Sequence, residues 1–141
     1  MYAAQDGQLK AVELLLSLGA DPNTSVAGAT ALNYASSNHR RDISILLLNR
    51  GADPNTRPAG YDSPLAASIL ALDKLLFDAL IAKGAITNDP TALQAALNGC
   101  SRGGWDPSYA RFLLEKSPEL KRASGLGGAI AATSLKLCPS F

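Results

Sequence analysis

Apolar residues recur along the chain in triplets with the spacing i, i+3, i+4, which places three side chains on one face of an α-helix. The first members of the triplets are 32, 33 and 33 residues apart. The triplets are Ala11, Leu14 and Leu15; Ile43, Leu46 and Leu47; Leu76, Ala79 and Leu80; and Tyr109, Phe112 and Leu113. The pattern predicts four amphipathic helices at equivalent positions of a repeating unit of about 33 residues.

A second helix is predicted in each unit, upstream of the triplet. Thr30 and Ser63 are 33 residues apart, and each begins a short Ala-rich segment, 30–38 and 63–71. A Ser or Thr hydroxyl can accept a hydrogen bond from a free amide of the first helical turn, and proline is tolerated at the first helical position. Asp-Pro at 89–90 and 106–107 indicates helix starts of the same kind.

The sequence Gly-Ala-Asp-Pro-Asn follows two of the triplets, at 19–23 and at 51–55, and Gly-Ala recurs at 84–85. Glycine suits a helix C-terminus because the chain must turn there through a positive φ. Each unit is therefore predicted to run from an inner helix through a tight turn to an outer helix and a loop. Since neither helix can bury its apolar face alone, successive pairs are expected to stack around one core.

These features resemble the ankyrin repeat family, whose units of about 33 residues open with Thr-Pro-Leu-His-x-Ala. The opening is Thr-Ala-Leu-Asn-Tyr-Ala at 30–35 and Ser-Pro-Leu-Ala-Ala-Ser at 63–68. The resemblance covers nearly the whole chain and implies an all-α helix-turn-helix solenoid with short hairpin-like loops. Asn33 and Ala66 replace the family histidine, so the hydrogen bond that this histidine usually makes between adjacent loops is expected to be missing.

The resemblance implies that the chain is a single ankyrin repeat domain. We expect three full units flanked by two partial ones, at 1–24, 25–57, 58–88, 89–123 and 124–141. Polar capping units are normally found at both ends of a repeat array, and neither end shows one. Two hypotheses stay open, namely that the chain is a piece of a longer array or that its terminal helices act as caps.

Two segments near the C-terminus depart from the regular unit. An insertion at 100–105 separates the two helices of the fourth unit and contains Trp105, the single tryptophan. We expect Trp105 to pack into the gap left by the longer loop, with an exposed anchor as the alternative. Segment 128–137 is expected to be a fifth inner helix.

The side-chain chemistry gives little indication of catalysis. The single histidine, His39, falls in a predicted turn with no nucleophile beside it, and Cys100 and Cys138 are isolated, so zinc has no ligand set. Two cysteines make a poor disulfide framework, which favours an intracellular setting, cytoplasmic or nuclear. Gly-Leu-Gly-Gly at 125–128 fits no phosphate-binding motif. We expect no enzyme activity, cofactor, metal or small-molecule substrate.

The net charge of +1, with 18% charged residues, argues against nucleic acid or an anionic membrane as the partner. The ankyrin resemblance instead implies non-catalytic protein binding, as a scaffold or adaptor, along a concave face formed by loop tips and inner-helix ends. An alternative is a regulatory or substrate-selecting segment of a larger enzyme or signalling protein.

The resemblance also implies which residues touch the partner. The candidates are Gln5, Asp6, Ser37, Asn38, Leu70 and Ala71 at the inner-helix ends, and Val26, Ala27, Arg57, Tyr61 and Asp62 at the loop tips. Arg57 and Tyr61 are the strongest, because Arg and aromatic residues dominate interface energies. The alternative for Tyr61 is packing against the next loop.

Overall fold

A computed structural model describes residues 1–98 and 106–120, which form eight α-helices and one two-stranded hairpin. The chain divides into two compact units, Met1–Ile86 and Thr87–Phe141. The predicted insertion at 100–105 with Cys100 and Trp105 lies outside the described residues. So do the glycine-rich sequence at 125–128, the predicted fifth helix at 128–137, and Cys138.

The first unit contains six helices in three pairs, as the repeat pattern predicts. They are α1 (Tyr2–Gln5), α2 (Leu9–Ser17), α3 (Ala31–Ser37), α4 (Arg41–Asn49), α5 (Pro64–Leu70) and α6 (Lys74–Ala82), with strands β1 (Ser25–Val26) and β2 (Ala29–Thr30) between the first two pairs. In the second unit, α7 (Pro90–Asn98) packs against α8 (Pro107–Lys116).

The helix pairs of the first unit stack in two layers. The inner helix α3 contacts the inner helices α1 and α5, and the outer helix α4 contacts α2 and α6. Leu32, Leu47, Leu65, Leu76 and Leu80 are fully buried where these helices meet. Adjacent pairs therefore share one apolar core, which is the arrangement that the repeat pattern predicts.

The predicted helix starts are confirmed by their caps. Ser63 Oγ accepts a 3.1 Å hydrogen bond from the amide of Ala66, and Pro64 occupies the first position of α5. Asp106 Oδ1 accepts a 2.9 Å bond from the amide of Ser108 at the start of α8. These local bonds satisfy amides that the helix cannot pair internally, which is why the boundaries can be predicted from sequence.

The apolar triplets are buried in three of the four outer helices. Their first and third members are buried in α4, α6 and α8, but Leu14 and Leu15 of α2 are 59% and 49% exposed. The expectation that the first triplet faces the core is therefore wrong for these two leucines. The main helix contacts of α2 are with α1 and α4.

The repeated asparagines at 23 and 55 connect successive loops. Asn23 donates a 3.0 Å hydrogen bond to the carbonyl of Gly51 and accepts a 2.7 Å bond from the amide of Asp53. Asn55 makes the same two bonds, at 3.1 and 2.7 Å, with Gly84 and Ile86. The Gly-Ala-Asp-Pro-Asn sequence thus holds neighbouring pairs at a fixed separation.

The expectation that Asn33 loses the connection between loops is wrong. Asn33 is fully buried, its side-chain amide donates a 3.0 Å hydrogen bond to the carbonyl of Thr56, and its Oδ1 accepts a 3.0 Å bond from the Thr56 hydroxyl. An asparagine amide carries both a donor and an acceptor, so it can serve where the family has an imidazole.

Candidate functional site

The candidate residues at the inner-helix ends occupy the same position on three neighbouring helices. Gln5, Ser37 and Leu70 are the last residues of α1, α3 and α5, and Asp6, Asn38 and Ala71 are the C-caps that follow. Leu70 is 44% exposed, and Ser37 and Ala71 are half-buried, whereas the other three are exposed. We call the exposed sides of α1, α3 and α5 the inner-helix face.

The first loop tip is a tight hairpin. Ser25 pairs with Thr30 and Val26 with Ala29, leaving a two-residue turn of Ala27 and Gly28. Both turn residues have positive φ, 52° and 81°, which is the conformation of a type I′ turn. Val26 is 59% exposed, and Ala27 is exposed beside it, so both predicted contact residues are accessible.

The second loop contains the other three candidates, and it has no β-strand within residues 54–62. Arg57 and Asp62 are exposed, and Tyr61 is 41% exposed. The ring of Tyr61 meets that of Tyr34 edge to face, with centroids 5.6 Å apart and planes at 68°. Tyr61 therefore packs on the inner helix α3 while keeping two fifths of its surface accessible.

Two further tyrosines belong to this surface and were not among the sequence-based candidates. Tyr34 is a half-buried residue of α3. Tyr2 lies 32 residues earlier, at the equivalent position on α1, and is 84% exposed. The repeat period of 32 residues was the signal that could have identified this pair. The sequence around Tyr34 alone does not distinguish it from any other residue of a helix.

The hydroxyl groups of these tyrosines influence one another. A side-chain hydrogen bond with Tyr61 raises the pKa of Tyr34 above its ordinary value of 10.0. The charge interaction between the two phenol groups raises this pKa as well. Desolvation and the more weakly acting Tyr2 raise this pKa further.

A groove of about 740 Å³ lies beside the helix ends, where the turns of the three pairs meet. Its walls include Leu70, Ala71 and His39, together with Arg40, which donates a 3.3 Å hydrogen bond to the carbonyl of Gln5. His39 is exposed and adopts a positive φ of 58°, as expected for a turn residue. All three turns therefore contribute residues to the lining of the groove.

An ion pair forms part of the lining of this groove. Arg41 Nε lies 2.6 Å from Asp73 Oδ2, and Asp73 Oδ1 also accepts a 3.1 Å hydrogen bond from the amide of Leu76, which caps α6. The hydrogen bond and the charge of Asp73 raise the pKa of Arg41. The pair therefore joins the starts of two outer helices and leaves both groups engaged in structure.

Within residues 1–98 and 106–120, no three His, Cys, Asp or Glu side chains gather as metal ligands would. No helix in the same part of the chain has the length and apolar character needed to cross a membrane.

The stacked helix pairs, with their repeated caps and asparagine bonds, define a helix-turn-helix repeat fold. Residues 1–58 match the family described as ankyrin repeats, in three copies. No curated protein matches the chain. Among solved structures, the crystal structure of the human ASB11 ankyrin repeat domain is similar, with a TM-score of 0.66 and 20% sequence identity over 82% of this chain.

Residues 1–58 are thus similar to ankyrin repeats, and the fold is the ankyrin-type helix-turn-helix solenoid that the resemblance seen in the sequence implies. The chain spans about half, 52%, of the matched human domain. Ankyrin repeats are general protein–protein interaction modules and are typically non-catalytic.

Proposed function

We propose that this chain is a non-catalytic scaffold or adaptor that binds a protein partner on its inner-helix face and loop tips, in the cytoplasm or nucleus. The observation that carries the proposal is the accessibility of apolar and aromatic side chains at this surface. Val26, Tyr61 and Leu70 are 59%, 41% and 44% exposed. Exposed apolar groups among polar neighbours are typical of surfaces that bind other proteins.

The proposed surface is also held in place before binding. Asn33 fixes the second loop to α3, and Asn23 and Asn55 connect the loops of adjacent pairs. A surface that is already ordered loses little conformational entropy when a partner binds, so more of the contact energy appears as affinity.

The charge of the chain supports a protein rather than a polyanion as the partner. A net charge of +1 provides no extended basic field of the kind that nucleic acid or an anionic membrane requires. The groove beside the helix ends is lined by Arg41, Asp42 and Asp73, and both charge signs occur there.

The test is affinity capture from a native lysate with the chain and with an Arg57→Ala/Tyr61→Ala double variant. We expect the double variant to lose the captured protein by about tenfold or more, because Arg and Tyr are frequent interface anchors. Leu75→Ala/Lys83→Ala is the matched control, since it removes one apolar and one cationic exposed residue at α6. Equal capture by both double variants would contradict the proposed surface.

A further inference from the structure

The turn of the third helix pair carries two leucines where the first two pairs have polar residues or glycine. Leu70 is 44% exposed and Leu72 is 48% exposed. The equivalent residues of the second and first pairs are Ser37 with His39, and Gln5 with Gly7. The third turn therefore presents an apolar surface that the other two turns do not have, and apolar surfaces of this kind mark contacts with other molecules.

The backbone of Leu72 is strained. Its φ is 54°, in the left-handed region that bulky L residues rarely adopt, because the Cβ atom crowds the following carbonyl oxygen. Gly7 occupies the equivalent place in the first turn and adopts a positive φ without this cost. A leucine that is strained and half in water contributes little to the fold, and strained residues cluster at ligand-binding positions.

Both leucines lie at one end of the groove beside the helix ends. The groove runs past all three turns, and Leu70 and Ala71 line it from the third turn, followed by Asp73. Leu72 stands between two of these lining residues. The volume of about 740 Å³ falls within the ~300–1,000 Å³ of sites that hold a compact ligand.

Arg40 belongs to the other end of the groove, because its side chain crosses to the first turn. Its Nε donates a 3.3 Å hydrogen bond to the carbonyl of Gln5. A Cβ atom at position 7 would stand 2.9 Å from Arg40 Nε and 3.0 Å from Cζ, so Gly7 leaves room for the guanidinium against this turn. A guanidinium has five N–H donors, and within residues 1–98 and 106–120 the bond to Gln5 is the one that Arg40 makes.

Of the two arginines that line the groove, Arg41 is already balanced by acidic neighbours and Arg40 is not. The hydrogen bond and charge of Asp73, and then the charge of Asp42, raise the pKa of Arg41. Arg40 forms no ion pair in the described part of the chain, even with the exposed Asp6 next to Gly7. Charge complementarity therefore favours a carboxylate at this end of the groove.

We propose that the groove binds a segment of the partner protein that carries an acidic side chain and, a few residues away, an apolar side chain. The carboxylate pairs with Arg40 at the first turn, and the apolar side chain covers Leu70 and Leu72 at the third. This inference rests on the proposed function for the existence of a protein partner, and it adds a contact that does not involve Arg57 or Tyr61.

The experiment is selection of random peptides displayed on phage against the intact chain, after removal of peptides that also bind an Arg40→Gln/Leu72→Asn double variant. We expect enrichment of sequences that combine Asp or Glu with a large apolar residue. Arg40→Gln and Leu72→Asn should each weaken the enriched peptides by about tenfold. Leu72→Asn should keep the fold, because asparagine tolerates a positive φ and the leucine that it replaces is half exposed.

Arg50→Gln and Leu18→Asn are the matched controls. Arg50 is the C-cap of α4, whose N-cap is Arg40, and Leu18 is 75% exposed at the end of α2 that lies away from the groove residue Leu9. Both controls should leave the peptide affinity unchanged. Circular dichroism verifies that every variant keeps its helices.

The inference is overturned if no peptide survives the subtraction, if the surviving peptides lack an acidic residue, or if either single variant binds them with full affinity. The proposed function is judged separately by lysate capture with the Arg57→Ala/Tyr61→Ala variant. If that capture depends on Arg57 and Tyr61 while peptide selection fails, the protein-binding function stands and the groove contact is rejected.

Discussion

The side-chain amide of Asn33 donates a 3.0 Å hydrogen bond to the carbonyl of Thr56, which lies 23 residues further along the chain. The Thr56 hydroxyl returns a 3.0 Å bond to Asn33 Oδ1, which also accepts a 3.0 Å bond from the amide of Thr30. One buried asparagine therefore joins the start of α3 to the loop that carries Arg57 and Tyr61.

Replacing Asn33 should destabilise the protein without altering its helices. Asn33→Ala leaves the buried Thr30 amide and the part-buried Thr56 carbonyl without these partners, so we expect a loss of about 1–3 kcal/mol. Urea unfolding followed by circular dichroism measures this loss. Asn49→Ala, an exposed asparagine at the end of α4, is the control, and an equal midpoint for both variants would contradict the role given to Asn33.

Equivalent leucines in two outer helices should respond differently to charge. Leu47 in α4 is 1% exposed, whereas Leu15, 32 residues earlier in α2, is 49% exposed. Leu47→Asp places an unpaired carboxylate in the core and should cost several kcal/mol, enough to unfold the first unit. Leu15→Asp should retain the helical circular dichroism spectrum, and a loss of helix in this variant would show that Leu15 is a core residue.

Asp73 should stabilise α6 in two separable ways. Asp73→Ala removes both the cap on Leu76 and the pair with Arg41, so we expect a loss of about 1–2 kcal/mol. Asp73→Asn keeps an oxygen that can accept from the Leu76 amide and should recover most of this loss. Thermal unfolding of the two variants measures the difference, and equal destabilisation would assign the effect to the ion pair.

The titration of Tyr34 should depend on Tyr61. Tyr61→Phe keeps the ring and removes the hydroxyl, so the pKa of Tyr34 should fall back toward 10.0. A raised pKa means that the folded chain holds this proton more tightly than the unfolded chain. The resulting stability is present below pH ~10 and is lost as the pH rises through the raised pKa.

NMR of the Tyr34 ring across alkaline pH measures this pKa directly. Tyr2→Phe is the comparison, because Tyr2 is the weakest of the four causes, and its removal should shift the pKa less. A larger shift in Tyr2→Phe than in Tyr61→Phe would contradict the hydrogen bond as the main cause.

The sequence predicts features whose physics is local and misses those that depend on distant neighbours. Ser63 and Asp106 cap helices through amides two or three residues away, so their roles are visible in the sequence. The partner of Asn33 is 23 residues away, and the exposure of Leu15 depends on which helices contact α2. Neither relationship is encoded in a short stretch of chain.

The candidate binding surface also combines residues whose positions can be predicted locally with residues whose positions depend on distant neighbours. The positions of Gln5, Asn38 and Leu70 at helix ends follow from the repeat period, whereas the stacking of Tyr61 on Tyr34 requires the path of an irregular loop. Tyr34 was missed for this reason. The binding roles of all these residues stay predictions.

The asparagine bonds of the loops have a consequence for how such a chain can change in length. Asn23 reaches only the loop at 51–53, and Asn55 reaches only the loop at 84–86. A duplication or deletion of one whole period would bring an equivalent acceptor and donor into phase, so the series of bonds would re-form. Any other length would place the wrong backbone groups opposite each asparagine and leave two bonds unmade at the junction.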